Sequence, residues 1–158
     1  MRPYILQSGQ NPNLCVGVSS LQPGAPVILT PFQPPGSPFT QWYLDGSTGR
    51  IVLAANPSLC LDASQPGNQL FLNSWTMSPT QFWNWLGAPS YIINYGYPQA
   101  VIDNSGASII PGNPILLWGM HGGVNQRWSL LQVPAMAEIV ASTMLTGALT
   151  GPRHLSLS

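Results

Sequence analysis

Residues able to support acid–base, nucleophilic or metal chemistry are scarce in this 158-residue chain. The acids, histidines and cysteines together are Asp45, Asp62, Asp103, Glu138, His121, His154, Cys15 and Cys60. Hydrolysis of a glycoside usually needs two carboxyl groups about 5–10 Å apart, but Asp62 and Asp103 occupy equivalent places of two internal repeats and should lie far apart. The two cysteines and the distant histidines lack zinc-ligand spacing, and nothing places a nucleophile beside either histidine. We therefore predict no catalytic residues, no metal and no cofactor.

The strands that must position these residues are indicated by a sequence pattern that occurs three times along the chain. Each copy ends in a tryptophan stretch, and about half a repeat earlier it has two short apolar runs separated by a Pro-Gly turn. The tryptophan stretches span residues 40–44, 81–85 and 126–130, and the turns are Pro23-Gly24, Pro66-Gly67 and Pro111-Gly112. A period in the range of roughly 20–50 residues marks one supersecondary unit that is used repeatedly.

The composition favours many short strands. Sixteen glycines and seventeen prolines argue against long helices, and most apolar runs are short and bounded by turn residues. Four strands in each repeat give twelve strands, of which three hairpin pairs can close a barrel while the others cap one end.

The charge is equally informative, because only 5% of the residues are charged and the net charge is +0. A neutral chain without lysine cannot neutralise a row of phosphates, so nucleic acid is a poor partner, and docking to anionic lipid is equally weak. The surface must be covered by neutral polar residues. Such a surface suits a neutral, hydroxyl-rich ligand, and it also suits a chain that depends on partners for solubility.

The two cysteines occupy one position of the repeat. Cys15 and Cys60 stand where the third repeat has Val101. A position that also accepts valine is most simply a core position, so we predict two buried thiols. A disulfide between them would require their Cβ atoms to lie within about 4.5 Å.

The segment after Pro134 differs from the repeats. Residues 135–146 place four apolar side chains on roughly one helical face, those of Met136, Ile139, Val140 and Met144. We predict a short helix there, lying on the barrel or on another chain, with a flexible remainder at 148–158. The alternative is that this segment inserts into a membrane, but it has no basic face.

No signal peptide and no transmembrane segment of roughly 20 apolar residues is visible, and we expect a cytoplasmic or non-classically secreted protein.

The Gln-x-Trp stretches, with their upstream strand, aspartate and Pro-Gly elements, resemble the ricin B-type lectins, which are β-trefoils. The resemblance covers about residues 2–132. It implies an all-β fold, a β-trefoil with three pseudo-symmetric four-stranded repeats at about 2–45, 46–87 and 88–132. The predicted domain is 1–133, followed by the C-terminal segment 134–158.

The resemblance implies a galactose pocket in the third repeat. In the family, such a pocket has an aspartate after the first apolar strand, an aromatic residue after the second, and an asparagine before the Gln of Gln-x-Trp. Here Asp103 would accept hydrogen bonds from two hydroxyls, Trp118 would stack on the sugar, and Asn125 would bind a third hydroxyl. His121 would donate at the rim, and Gln126 would support the pocket. Taken singly, each residue also has a simpler interpretation as a turn, core or loop residue.

The second repeat matches this pattern in part. It keeps Asp62 and Gln81, but Asn73 takes the place of the aromatic residue and Thr80 that of the asparagine. Trp75 could reach over the ligand or pack inside the protein. We therefore predict at most a weak second site, formed by Asp62, Trp75 and Gln81.

The first repeat departs from the pattern at every polar position, with Gly17 for the aspartate, Thr30 for the aromatic residue and Thr40 for the first Gln. We predict no sugar site there. Many family members also close a disulfide to a cysteine just beyond the aromatic residue. The matching positions here hold Phe32, Trp75 and Met120, so that route is absent.

The resemblance favours a lectin that recognises glycans of galactose or N-acetylgalactosamine, chiefly through the third repeat. One strong pocket implies weak binding by a monomer, so useful affinity would come from a homo-oligomer or a larger assembly formed through the C-terminal segment. The alternative is a β-trefoil whose loops bind protein, as a protease-inhibitor-like, assembly or toxin subunit without functional sugar binding.

Overall fold

The computed structural model describes residues 2–31, 37–86 and 89–133. The predicted C-terminal helix at 135–146 and the remainder of the tail lie outside the described residues, as do Phe32 and His154.

The described residues form twelve strands, as the repeat predicted, and three short 3₁₀ helices at Pro79–Gln81, Ser105–Ala107 and Val124–Gln126. The strands are β1 Tyr4–Ser8, β2 Leu14–Val18, β3 Val27–Pro31, β4 Trp42–Asp45, β5 Arg50–Leu53, β6 Leu59–Asp62, β7 Phe71–Ser74, β8 Trp83–Leu86, β9 Tyr91–Asn94, β10 Ala100–Asn104, β11 Ile115–Gly119 and β12 Trp128–Gln132.

Six of the strands form a barrel from three antiparallel pairs, β1–β12, β4–β5 and β8–β9. The pairs join into a ring through three contacts. Strand β1 also pairs with β4, the Trp83 amide donates to the Gly49 carbonyl at 2.7 Å, and Ser90 forms a bridge with Trp128. Ring closure leaves few strand edges open to pair with another chain.

The other six strands form three hairpins, β2–β3, β6–β7 and β10–β11. Each hairpin touches the other two through single antiparallel bridges, Pro26 with Phe71, Ile28 with Pro114 and Gln69 with Leu116. The hairpins therefore make a second ring. The barrel and this ring together confirm the predicted architecture of three equivalent four-stranded units.

The three repeat tryptophans show the pseudo-symmetry at atomic level. Trp42, Trp83 and Trp128 are 0%, 3% and 1% exposed, and they belong to the main hydrophobic core. Each indole Nε1–H donates at 3.1 Å to a carbonyl of the second strand of its own repeat, those of Val16, Leu61 and Ile102. A buried indole N–H needs such a partner. These tryptophans are therefore structural.

Both cysteines are buried and free, as predicted from the valine in the third repeat. Burial raises the pKa of the Cys15 thiol to about 12. Burial also raises the pKa of Cys60 to about 11, where the nearby Asp62 carboxylate adds to the effect and Arg50 opposes it. Because the thiolate is the reactive form, both residues act as core side chains.

Candidate functional site

The register of the β10–β11 hairpin places two of the predicted site residues on one face. Asp103 pairs with Leu116, and Val101 pairs with Trp118. Directly paired residues share a face, and residues two positions apart on a strand do too. Asp103 and Trp118 are therefore diagonal neighbours, which aromatic and other long side chains can bridge.

The Asp103 carboxylate lies at the base of this face and is only 3% exposed. Its Oδ2 accepts a hydrogen bond from Gln126 Nε2 at 2.8 Å, and its Oδ1 accepts a long one from Asn125 Nδ2 at 3.4 Å. Burial raises the pKa of Asp103 above its usual range, while the Gln126 hydrogen bond and His121 act in the opposite direction. Since a carboxylate can accept about four hydrogen bonds, Asp103 keeps acceptor capacity for a ligand.

Gln126 holds the Asp103 carboxylate and the following loop together. It is fully buried, and its Nε2 donates both to Asp103 and, at 2.9 Å, to the Gly119 carbonyl. Its Oε1 accepts the His121 backbone N–H at 2.9 Å. Gln126 therefore fixes the loop that carries His121.

Asn125 approaches Asp103 from the 3₁₀ helix at Val124–Gln126. Both of its amide hydrogens are engaged, since Nδ2 also donates to the Asn104 carbonyl at 3.1 Å. Its Oδ1 accepts no hydrogen bond from the described residues and is free to accept a ligand hydroxyl.

Asn104 is a supporting residue that sequence reasoning missed. It is fully buried, and its side chain bonds to Gln10, Ser108 and Asn113. These contacts fix the carbonyl that orients Asn125. The Asp103-Asn104-Ser105-Gly106 stretch was readable as a turn, so only long-range contacts, such as the one to Gln10, identify the role of Asn104.

His121 reaches the site with a defined orientation. Its Nδ1 accepts the Gly123 N–H at 3.0 Å, so the neutral ring carries its proton on Nε2. That nitrogen lies 3.6 Å from Asp103 Oδ2, and 48% of the side chain is exposed. A Cβ on Gly123 would lie 2.6 Å from both Asn125 Oδ1 and His121 Cε1. Glycine at this position therefore allows the two side chains to converge.

Trp118 differs from the three repeat tryptophans because it is 48% exposed. It projects from the end of β11, beside the Pro66-Gly67 turn of the second repeat. A Cβ on Gly67 would lie 3.8 Å from Cζ3 of this indole. The structure thus presents a carboxylate, an amide oxygen, an imidazole N–H and an exposed aromatic surface in one place. Such a set can bind a neutral ligand that has adjacent hydroxyls and an apolar C–H face.

The second repeat brings Asp62 and Gln81 together but uses the carboxylate internally. Oδ1 of Asp62 accepts hydrogen bonds from the Ala63 N–H and the Thr80 hydroxyl, both at 2.7 Å. Oδ2 accepts them from Asn73 Nδ2 at 2.9 Å and Gln81 Nε2 at 3.0 Å. Four donors fill the acceptor capacity of the carboxylate.

Trp75 of the second repeat is 36% exposed, but its ring already has two partners. Its ring makes an edge contact with Phe82, with centroids 5.1 Å apart. The Arg50 guanidinium lies over the ring at 4.4 Å from its centroid. Of the three residues predicted for a weak second site, the structure joins Asp62 and Gln81 and gives Trp75 other partners.

The first repeat has no space for an aspartate. A Cβ on Gly17 would lie 2.4 Å from Thr30 Cγ2 and 2.9 Å from the Phe39 carbonyl oxygen. The position that holds Asp62 and Asp103 in the other repeats is therefore closed.

In ranges 2–31, 37–86 and 89–133, no group of three or more histidine, cysteine or acidic residues could hold a metal ion. No helix in the same part of the chain is long and apolar enough to span a bilayer.

Comparison with known proteins places the repeats in a family. The sequence profile described as "Ricin-type beta-trefoil lectin domain" matches residues 3–128. No curated protein sequence is significantly similar to the chain.

Several solved structures have the same fold. The C-half of an earthworm R-type lectin, solved with GalNAc, is 21% identical with a TM-score of 0.72, over 84% of this chain and 100% of that one. ThreeFoil, a designed threefold symmetric protein, is 22% identical with a TM-score of 0.73, over 83% and 99%. The β-trefoil lectin of the Vibrio vulnificus hemolysin, solved with N-acetyl-D-lactosamine, is 21% identical with a TM-score of 0.69, over 86% and 98%. At these identities, the likenesses show the fold alone.

Proposed function

The chain belongs to the ricin-type β-trefoil lectin family, whose domains are carbohydrate-binding modules, and we propose that it binds glycans bearing galactose or N-acetylgalactosamine, chiefly through its third repeat. In this proposal, Asp103 accepts hydrogen bonds from two adjacent hydroxyls and Asn125 Oδ1 accepts one from a third. Trp118 packs against the C–H face of the sugar, and His121 Nε2 donates at the rim.

One observation carries the assignment to the third repeat, namely the difference between its aspartate and the one in the second repeat. Asp62 accepts four hydrogen bonds from its own repeat. Asp103 accepts one short and one long bond. A buried carboxylate with unused acceptor capacity is unfavourable without a partner. A ligand with paired hydroxyls supplies that partner.

The earthworm and Vibrio lectins support the ligand class, because they were solved with GalNAc and N-acetyl-D-lactosamine. The charge balance of the chain fits a neutral ligand as well, with Lys+Arg 4 against Asp+Glu 4.

The direct test is chromatography on immobilised galactose. We expect the wild-type protein to be retained and to elute with lactose. Trp118→Ala should run through unretained, because the exposed indole supplies most of the apolar contact. Trp75→Ala is the matched control, since that partly exposed ring packs against Arg50 and Phe82 of its own repeat, and it should be retained. If wild type is not retained and binds nothing on a broad glycan array, the site binds no sugar, and binding of protein by the loops becomes the better account.

Sugar affinity should fall on acidification. Burial raises the pKa of Asp103, so the carboxyl protonates at a higher pH than an exposed aspartate, whose pKa is about 3.9. Protonation turns one acceptor into a donor, and the bond to a sugar hydroxyl is lost. Sugar affinity should therefore be highest at neutral pH and should decline as the pH falls through the raised pKa of Asp103. Calorimetric titrations between pH 4 and 8 can measure this decline.

The contacting residue His121 provides the control for this pH dependence. Its interactions hold the pKa of Asp103 lower than burial alone would. In His121→Gln, the acid midpoint should therefore move to higher pH. An affinity that stays constant down to pH 4 in the wild-type protein would exclude an ionised Asp103 as the sugar acceptor.

A further inference from the structure

A loop of the first repeat packs against the proposed sugar site of the third repeat. This β1–β2 loop, residues 9–13, lies between β1 and β2. The Gly9 N–H donates to the Arg127 carbonyl at 2.9 Å, directly after the 3₁₀ helix that carries Asn125. A Cβ on Gly9 would lie 2.8 Å from that carbonyl oxygen and 3.2 Å from the carbonyl oxygen of Val124. The absence of a side chain at Gly9 therefore lets the loop contact the helix.

Gln10 of the same loop makes two hydrogen bonds to the third repeat. Its Oε1 accepts one from Asn104 Nδ2 at 2.9 Å, and its Nε2 donates to the Ala107 carbonyl at 2.8 Å. Ala107 has a left-handed backbone with a φ of 58°, which is uncommon for a residue with a side chain and persists only where the surrounding structure holds it. Gln10 therefore fixes both ends of the segment 104–107.

The contact with Asn104 leads directly to an atom assigned to the ligand. The Asn104 carbonyl accepts a hydrogen bond from Asn125 Nδ2 at 3.1 Å. This bond, with the longer one to Asp103, turns the amide of Asn125 so that Oδ1 stays available to a sugar hydroxyl. A shift of the Asn104 carbonyl would misalign that oxygen. Gln10 can therefore affect sugar binding through Asn104 and Asn125 without contacting the sugar.

The other two repeats lack a polar side chain at this position. The loops after β5 and β9 contact the preceding repeat through an equivalent backbone hydrogen bond, as the loop after β1 does. The residues that match Gln10 in those loops are Ala55 and Gly96, whose side chains can neither donate nor accept a hydrogen bond. At this position, side-chain support is thus given to the third repeat alone, which is the repeat whose aspartate keeps free acceptors.

We propose that Gln10 is a positioning residue of the third-repeat site, which is therefore built from two repeats. The first repeat, although it has no pocket of its own, supports binding by the third. This inference rests on the proposed function, because it requires a sugar that binds Asn125. Coupling between two equilibria is reciprocal, so a bound sugar should in turn keep the β1–β2 loop in contact with the third repeat.

Galactose titrations followed by NMR chemical shifts test the role of Gln10. Gln10→Ala should lower the affinity about threefold to tenfold, which is the effect of one lost hydrogen bond. In Asn125→Ala, which should still bind weakly through Asp103 and Trp118, the same change should have no further effect, because the residue through which Gln10 acts is gone. Gln7→Ala is the matched control. Gln7 Nε2 donates to the Pro12 carbonyl of the same loop at 2.9 Å, and its loss should leave the affinity unchanged.

Amide hydrogen exchange tests the reciprocal effect in the unmodified protein. The Ala54 N–H is the internal control, because it donates to the Gln41 carbonyl at 3.0 Å in the equivalent place beside the first repeat, where no sugar site is predicted. General stabilisation by a ligand slows both amides equally, whereas a ligand that favours the contacting loop slows local opening at Gly9 in addition. At saturating galactose, exchange at Gly9 should slow about threefold to tenfold more than at Ala54.

The outcomes separate this inference from the proposed function. If wild type binds galactose and Gln10→Ala binds it as tightly, the positioning role is overturned and the proposed function stands. The same holds if Gln10→Ala causes an equal loss in the Asn125→Ala background, or if exchange at Gly9 and Ala54 slows equally. If no galactoside binds to the wild-type protein, both proposals fail.

Discussion

Asp103→Asn should lower the affinity for galactose at least about 100-fold and leave the free energy of unfolding unchanged or slightly higher. The amide has nearly the shape of the carboxylate and still accepts the hydrogen bond from Gln126. It loses the charge and one acceptor oxygen. Hydrogen bonds to charged groups contribute about 1.5–3 kcal/mol each, and weakening two of them accounts for a 100-fold loss.

The stability half of this prediction follows from the pKa of Asp103. Burial raises that pKa, so the folded protein favours the neutral carboxyl over the ionised one. Stability from this group is therefore fully present below its unfolded pKa and is lost as the pH rises through the folded value. At neutral pH the ionised Asp103 lowers stability, and a neutral asparagine avoids that penalty.

Calorimetric titration with galactose and denaturant unfolding at neutral pH measure the two halves separately. A variant that binds like wild type would remove Asp103 from the sugar contacts. A variant that unfolds readily would show that Asp103 is a structural residue instead. The expected result is a variant that is stable but no longer binds the sugar. This result indicates that Asp103 serves to bind the ligand.

The fold could be predicted from the sequence because the signal is repeated. One Gln-x-Trp stretch has many explanations. Three tryptophan stretches in register, two of them Gln-x-Trp and each after two strands and a Pro-Gly turn, fix both the number of units and their strand content. The buried Trp42, Trp83 and Trp128, with equal indole hydrogen bonds, follow from that equivalence. The same reasoning placed Cys15 and Cys60 in the core.

The candidate site was only partly predictable. Strand register alone brings Asp103 and Trp118 to one face, so their proximity follows from the pattern. The number of hydrogen bonds that each carboxylate accepts within the protein does not follow from the pattern. Whether an aspartate keeps free acceptors depends on neighbouring side chains, and Asn73 and Thr80 occupy those of Asp62. Contacts of this kind depend on rotamers that spacing does not encode.

Asp62→Asn should lower the free energy of unfolding by about 2–4 kcal/mol, in contrast to the same change at Asp103. The new NH₂ group must face two donors, either the Ala63 N–H and Thr80 hydroxyl or the amides of Asn73 and Gln81. A buried donor left without an acceptor costs roughly 1–3 kcal/mol, and at least one more such donor results in either orientation. Denaturant unfolding at neutral pH measures the difference.

The pair of variants separates structural from ligand-binding carboxylates in one chain, because the substitution is identical and the two sites occupy equivalent positions. Asp62→Asn should still bind galactose through its folded fraction, at a temperature below its lowered Tm. If it is as stable as wild type and has weaker sugar binding, then Asp62 serves a ligand, and the second repeat is a binding site despite its internal hydrogen bonds. If both variants are equally destabilised, the free acceptors of Asp103 do not distinguish the repeats, and the assignment of sugar binding to the third repeat loses its main support.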